Sequence, residues 1–120
     1  MNSEELKMRT KQFALRVIRM SDSITTTTSG NVISRQLIRS STSVGSNYRA
    51  ACRGRSKAEL VSKLQTVIEE SDECCYWMEL LIESGLLPSH RREGLLDEAN
   101  QITAIMVASR KTALLDDGQS

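Results

Sequence analysis

The sequence is short of the residues that most chemistry and most β-structure need. It has one proline, one histidine, three cysteines and four aromatic residues, Phe13, Tyr48, Tyr76 and Trp77. With so few breakers, long helices are allowed almost everywhere. No strand-like alternation appears, which excludes an all-β fold. No uninterrupted apolar run approaches the ~18 residues of a membrane-spanning helix. The first 20 residues are interrupted by Glu4, Glu5, Lys7, Arg9, Lys11, Arg16 and Arg19, so they do not read as a secretory leader. Three irregularly placed cysteines (Cys52, Cys74, Cys75) make no disulfide framework, and reduced thiols in a cytoplasmic protein are expected.

What is present is helical periodicity. In 120 residues, 39% hydrophobic and 26% charged, the pattern predicts one all-α domain, an antiparallel up-down four-helix bundle over residues 1–115. Helices are expected at about 3–20, 31–52, 57–84 and 90–115, followed by a polar tail at 116–120. Leu6, Phe13, Val17 and Met20 form the first seam. The Thr25–Gly30 tract, β-branched and rich in hydroxyls, reads as a connecting loop. The second seam is Ile33, Leu37, Ser40, Ser41, Val44, Tyr48 and Ala51, whose small members let a neighbouring helix come close. Ser56-Lys57-Ala58-Glu59 reads as a capping box opening the third helix. That helix carries Leu60, Leu64, Val67, Ile68, Ser71, Cys74, Cys75, Met78, Leu81 and Ile82 on one face and ends at Ser84-Gly85 before Pro88. Ser89 is the expected cap of the fourth helix, whose seam is Leu95, Ala99, Ile102, Met106, Ser109 and Ala113.

The net charge of +1 conceals a division. Residues 1–63 carry 12 Lys or Arg against 4 Asp or Glu, whereas residues 64–120 carry 4 against 11. At about 100° per residue, Arg35, Arg39, Arg49 and Arg53 fall on one stripe of the second helix, with no acidic residue between Arg35 and Arg53. Arg55, Lys57 and Lys63 extend it past the turn. Guanidinium groups in a row suit phosphate, which each can grip through paired hydrogen bonds. A nucleic-acid backbone is therefore an expected partner. The competing expectation is assembly: Glu69, Asp72, Glu73, Glu79 and Glu83 form an acidic face on the third helix that the stripe of another subunit could meet. Tyr48, Tyr76 and Trp77 are the residues expected at a subunit interface.

Nothing rises to catalysis. Adjacent helical residues point about 100° apart, so Cys74 and Cys75 cannot readily close a disulfide or chelate one ion and are expected to be buried structural thiols. No Asp or Glu lies within a turn before His90 to orient it, and no nucleophile is suggested nearby. The expectation is a non-enzymatic protein without metal or cofactor.

The run Ser40-Ser41-Thr42-Ser43-Val44-Gly45-Ser46-Asn47-Tyr48, then Ser56-Lys57-Ala58-Glu59-Leu60, then Glu69-Glu70-Ser71-Asp72-Glu73 and Tyr76 through Leu86 resembles a bacterial four-helix-bundle family. That family includes proteins encoded within intervening sequences of 23S ribosomal RNA genes, and the likeness covers about residues 6 to 113. One departure is Ala50, where the family commonly has Glu; the loss leaves the arginine stripe more positive. The resemblance implies an antiparallel bundle and a ring-like homo-oligomer, with a pentamer leading. A more distant likeness is to accessory proteins of diversity-generating retroelements, which bind nucleic acid and a reverse transcriptase. The resemblance settles the fold better than the function, and with the charged faces two expectations stand. One is a non-enzymatic oligomeric nucleic-acid-binding protein with RNA as the leading class. The other is a scaffold assembled through the basic and acidic helix faces and serving a protein partner such as a reverse transcriptase.

Overall fold

The structure, a computed structural model, describes residues 1–24, 26–87 and 94–116. Four helices follow one another: α1 (Ser3–Asp22), α2 (Thr28–Cys52), α3 (Lys57–Glu83) and α4 (Leu95–Leu115). They form the expected antiparallel bundle, a rod of 52 × 21 × 21 Å.

Each of the first three helices starts where a side chain can take up an otherwise orphaned amide. The Asn2 side chain accepts from the Glu5 amide at 2.8 Å. Thr27 accepts from the Gly30 amide at 2.9 Å, so α2 begins at Thr28, three residues before the expected start at Asn31. The end of the hydroxyl-rich tract is therefore a helix cap and first turn, not loop: β-branched Thr is a poor helix interior residue but a good N-cap. At α3 the capping box forms in a shifted version. Ser56 accepts from the Glu59 amide at 3.1 Å, while Glu59 reaches back to the Arg55 amide at 2.6 Å rather than to that of Ser56. The end of α3 is closed by Gly85 at φ 79°, the left-handed value that favours glycine, with the Leu86 amide bonded back to the Leu81 carbonyl. The Ser89 cap, the expected helical start from His90 to Glu93 and the end of the tail at 117–120 lie outside the described residues; Gly94 caps α4.

The four seams converge as their spacing requires. Phe13, Val17, Leu37, Val44, Val67, Met78, Leu81, Ile102 and Met106 are at most 1% exposed. Thr10 completes the α1 seam between Leu6 and Phe13, fully buried, because its hydroxyl returns to the Leu6 carbonyl at 2.8 Å. Gly45 lies opposite it on α2, where an added Cβ would stand 3.4 Å from Thr10 Oγ1, so the two helices approach closely at that level. Ser71 is buried between α3 and α4, with its hydroxyl 2.6 Å from that of Thr103 and 3.3 Å from the Ala99 carbonyl. The junction of α1 with α4 is slimmer than those of α2 with α1 and α3 and of α3 with α4, and a bidentate pair closes it. Arg9 donates to Glu98 at 2.8 and 2.6 Å and to Gln101 at 2.8 Å.

Cys74 and Cys75 are buried and diverge as their adjacency dictates. The Cys74 thiol donates to Ser40 on α2 at 3.4 Å and that of Cys75 to Asn100 on α4 at 3.5 Å. Burial pushes the Cys74 thiol up to about 12 and raises that of Cys75 as well, so both stay protonated at neutral pH. Among the described residues no group of three or more His, Cys, Asp or Glu could hold a metal ion, and no helix is long and apolar enough to cross a membrane.

Candidate nucleic-acid interface

The arginine stripe exists as a helix face but not as one uniform surface. Arg39, in the middle of α2, is engaged by α3. Its guanidinium bonds to Glu70 at 3.1 Å and to Glu73, and its Nε donates to Gln36 at 3.1 Å. Glu73 in turn accepts the Trp77 indole N–H at 3.0 Å. Burial would raise the Glu73 carboxyl, but the Trp77 bond and the Arg39 charge outweigh it and hold it below its ordinary value. Arg39 is thus neutralised within its own chain, by acids that no reading of α2 alone can place beside it.

Arg35 stands apart, near the α1–α2 connection. It lines a depression of about 380 Å³ with Ser21, Asp22, Asn31 and Ser34.

The other end of α2 differs. Arg49 and Arg53 line a groove of about 560 Å³ between α1 and α2, together with Lys7 and Lys11. Glu4 also lines it but is bonded to Lys7 at 3.1 Å. Among the described residues no carboxylate pairs with Lys11, Arg49 or Arg53. The groove has a floor of small side chains, Thr42, Gly45 and Ser46, so the cations form its rim. Arg53 also lines a second depression of about 360 Å³ with Arg55 and Lys63. Because Arg53 belongs to both, the cations run continuously from α1 across α2 and the turn onto α3. Lys57 ties two helices together, since its ammonium donates to the Leu114 carbonyl at 3.1 Å, where cations suit the negative end of a helix dipole.

Lys11 does not belong to the stripe that the sequence predicts. Its signal is the Lys7–Lys11 spacing of four on the polar face of α1, which only the packing of α1 on α2 makes relevant.

The three aromatic candidates separate. Tyr48, expected at a subunit interface, is 6% exposed and packs inside the bundle, so that expectation is corrected. It shares the Val44–Ala51 seam, and burial followed by the neighbouring Cys52 thiol raises its phenol above the ordinary value. Tyr76 is 55% exposed, with its ring edge-on to Trp77 at 5.3 Å. Trp77 is half-buried against the core. These two rings stand among the α3 acids Asp72, Glu73 and Glu79, away from the basic groove.

The pattern that defines the 23S rRNA-intervening sequence proteins matches residues 4–108, which is most of the chain. The chain belongs to this family. A solved structure similar to it is the crystal structure of a protein of unknown function from the S23 ribosomal protein family, from Bacteroides thetaiotaomicron. The two are 28% identical with a TM-score of 0.84, over 92% of this chain and 99% of that one. A comparison with curated proteins gives no match. The family likeness read from the sequence therefore holds, and this 23S rRNA-intervening sequence protein shares its bundle with a solved S23 relative.

Proposed function

We propose that this protein is a non-enzymatic nucleic-acid-binding protein, with RNA as the ligand class, that holds phosphates through the end of the bundle where α2 meets α3. One observation carries the reading. Lys11, Arg49 and Arg53 rim a single groove, and among the described residues no acidic group neutralises them. Arg55 and Lys63 extend the same surface. A fixed arginine can grip two phosphate oxygens at once, and each phosphate so held releases a condensed counterion, which makes binding strongly salt-dependent. Assembly into a homo-oligomer would repeat the surface and raise avidity without new contacts.

The test is fluorescence anisotropy of a labelled structured RNA against the 120-residue chain across a salt series. Tight binding at low salt that weakens steeply with salt is expected. The Arg49→Ala/Arg53→Ala double variant should weaken binding about tenfold or more and flatten the log–log salt slope by roughly 1.8, at about 0.9 per lost duplex phosphate contact. An unchanged slope in a folded double variant would exclude this groove.

A second reading, a scaffold for a protein partner, is favoured by the exposed Tyr76 beside Trp77 on the acidic side of α3. An aromatic–acidic face of that kind suits a basic protein surface. Tyr76→Ala separates the two, because it should abolish capture of such a partner and leave RNA binding unchanged.

A further inference from the structure

We infer that the nucleic acid taken by this surface is a duplex held by its backbone, not a single strand. The inference rests on the nucleic-acid reading above and specifies its substrate class. Proteins that hold single strands combine a positive groove with aromatic side chains on which successive bases stack. Here those two elements are on different parts of the molecule. All four aromatic residues are placed: Phe13 is 1% exposed, and Tyr48, which lines a depression beside Arg55 and Lys57, shows only 6% of its surface there, an edge too small to stack a base. Tyr76 and Trp77 lie 13 and 14 positions beyond Lys63 on α3, roughly 20 Å along its axis at about 1.5 Å per residue.

Charge strengthens the separation. Asp72, Glu73 and Glu79 lie three or four residues from Tyr76, on the same side of the helix. A strand whose bases stacked on Tyr76 would bring its phosphates against those carboxylates. A strand that followed the cations would find no π-face, because the apolar side chains of the groove are Met8 and Ala14. With stacking removed, what remains is attraction to phosphate charge, and this favours the ligand with the denser charge. A duplex presents two backbones, about one charge per 1.7 Å of axis in double-stranded DNA, against one backbone for a separated strand. The cations line two adjoining depressions that share Arg53, so they are spread over three helices, α1, α2 and the start of α3.

The experiment compares a blunt RNA duplex with each of its own unpaired strands, of sequences chosen not to fold, at one low salt concentration. It uses the 120-residue chain and its Tyr76→Ala variant. The expected result is that the duplex binds about tenfold tighter than either strand, and that Tyr76→Ala changes neither affinity. If the single strands bind as well as the duplex or better, or if Tyr76→Ala weakens them, the duplex assignment is overturned while the phosphate-binding reading stands. If neither form binds to folded protein, the phosphate-binding reading falls and takes the duplex assignment with it.

Discussion

Arg39 and Arg53 occupy one face of one helix, about 21 Å apart at about 1.5 Å rise per residue, yet their chemical situations are opposite. Around Arg39, α3 supplies Glu70 and Glu73, and the charge is spent on holding two helices together. Around Arg53, α3 has only reached its first turns. The local acid there, Glu59, is turned to the Arg55 backbone, and the neighbouring helix contributes Lys63. The difference follows from the antiparallel register of α2 and α3 combined with the division of charge along the chain. The middle of α2 faces the acidic half of α3, and its C-terminal end faces the basic half. A stripe of identical residues thus becomes a structural tie at one level and an uncommitted cationic surface at the other.

The contrast can be broken by freeing Arg39. In Glu70→Gln/Glu73→Gln the guanidinium loses both ionic partners and becomes a further cation on the same face. RNA affinity at low salt should rise roughly three- to tenfold, and the salt slope should steepen by about 0.9 if Arg39 gains one phosphate contact. The same anisotropy series reads both. No gain in affinity would mean that a ligand held at Arg53 does not extend as far as Arg39, which would confine the interface to the end of the bundle where α2 meets α3.

How far the sequence reveals all this depends on the range of the interaction involved. Seam residues such as Val17, Val44 and Met78 show themselves by spacing alone, because helix period and burial are local pattern and general rule. Caps are nearly as legible: Ser56 is, whereas Thr27 is hidden in a run of four threonines whose individual roles composition does not distinguish. Thr10 escapes a reading by polarity, which argues against burial, and only the bond to the Leu6 carbonyl removes that objection. Tyr48 reads both as seam and as interface, and its 6% exposure decides for the seam. The site is legible as a stripe but not in its division. Which arginines are neutralised depends on Glu70 and Glu73, more than 30 positions away, and the contribution of Lys11 depends on how α1 lies against α2.

A smaller effect sharpens the same contrast through stability. The Arg39–Glu73 pair is partly exposed, with side chains 49% and 33% accessible, so its coupling in a double-mutant cycle should be at most ~1 kcal/mol at neutral pH. Its pH dependence has a definite sign. The folded protein holds the Glu73 carboxyl below its ordinary value of 4.5. The coupling is therefore fully present above that value and is lost as pH falls through the lowered one, when the unfolded chain binds the proton more readily. Urea denaturation of the wild type, Arg39→Ala, Glu73→Gln and the double variant at neutral and acidic pH measures it. Coupling that persists at acidic pH would show that the contact is held by packing around Trp77 rather than by charge. Among the described residues Arg53 has no carboxylate to pair with, and Arg53→Ala should leave stability unchanged within about 0.5 kcal/mol at either pH.

The smallest expected change separates charge from shape at the groove. Gly45 lies on its floor, at the close approach of α1 and α2, and a methyl there would meet Thr10 Oγ1 at 3.4 Å, an ordinary contact distance. Inside α2 an alanine loses less backbone freedom on folding than glycine does, by up to ~1 kcal/mol. Gly45→Ala should therefore raise the denaturation midpoint slightly, by an amount reduced from that value by whatever adjustment Thr10 makes. RNA affinity should stay within about twofold, since Lys11, Arg49 and Arg53 keep their positions on the rim and the phosphate attraction is set by them. A marked loss of binding in a stabilised Gly45→Ala protein would show instead that the ligand enters the groove and reads its floor. The surface would then be a fitted pocket rather than the electrostatic strip that its unpaired cations describe.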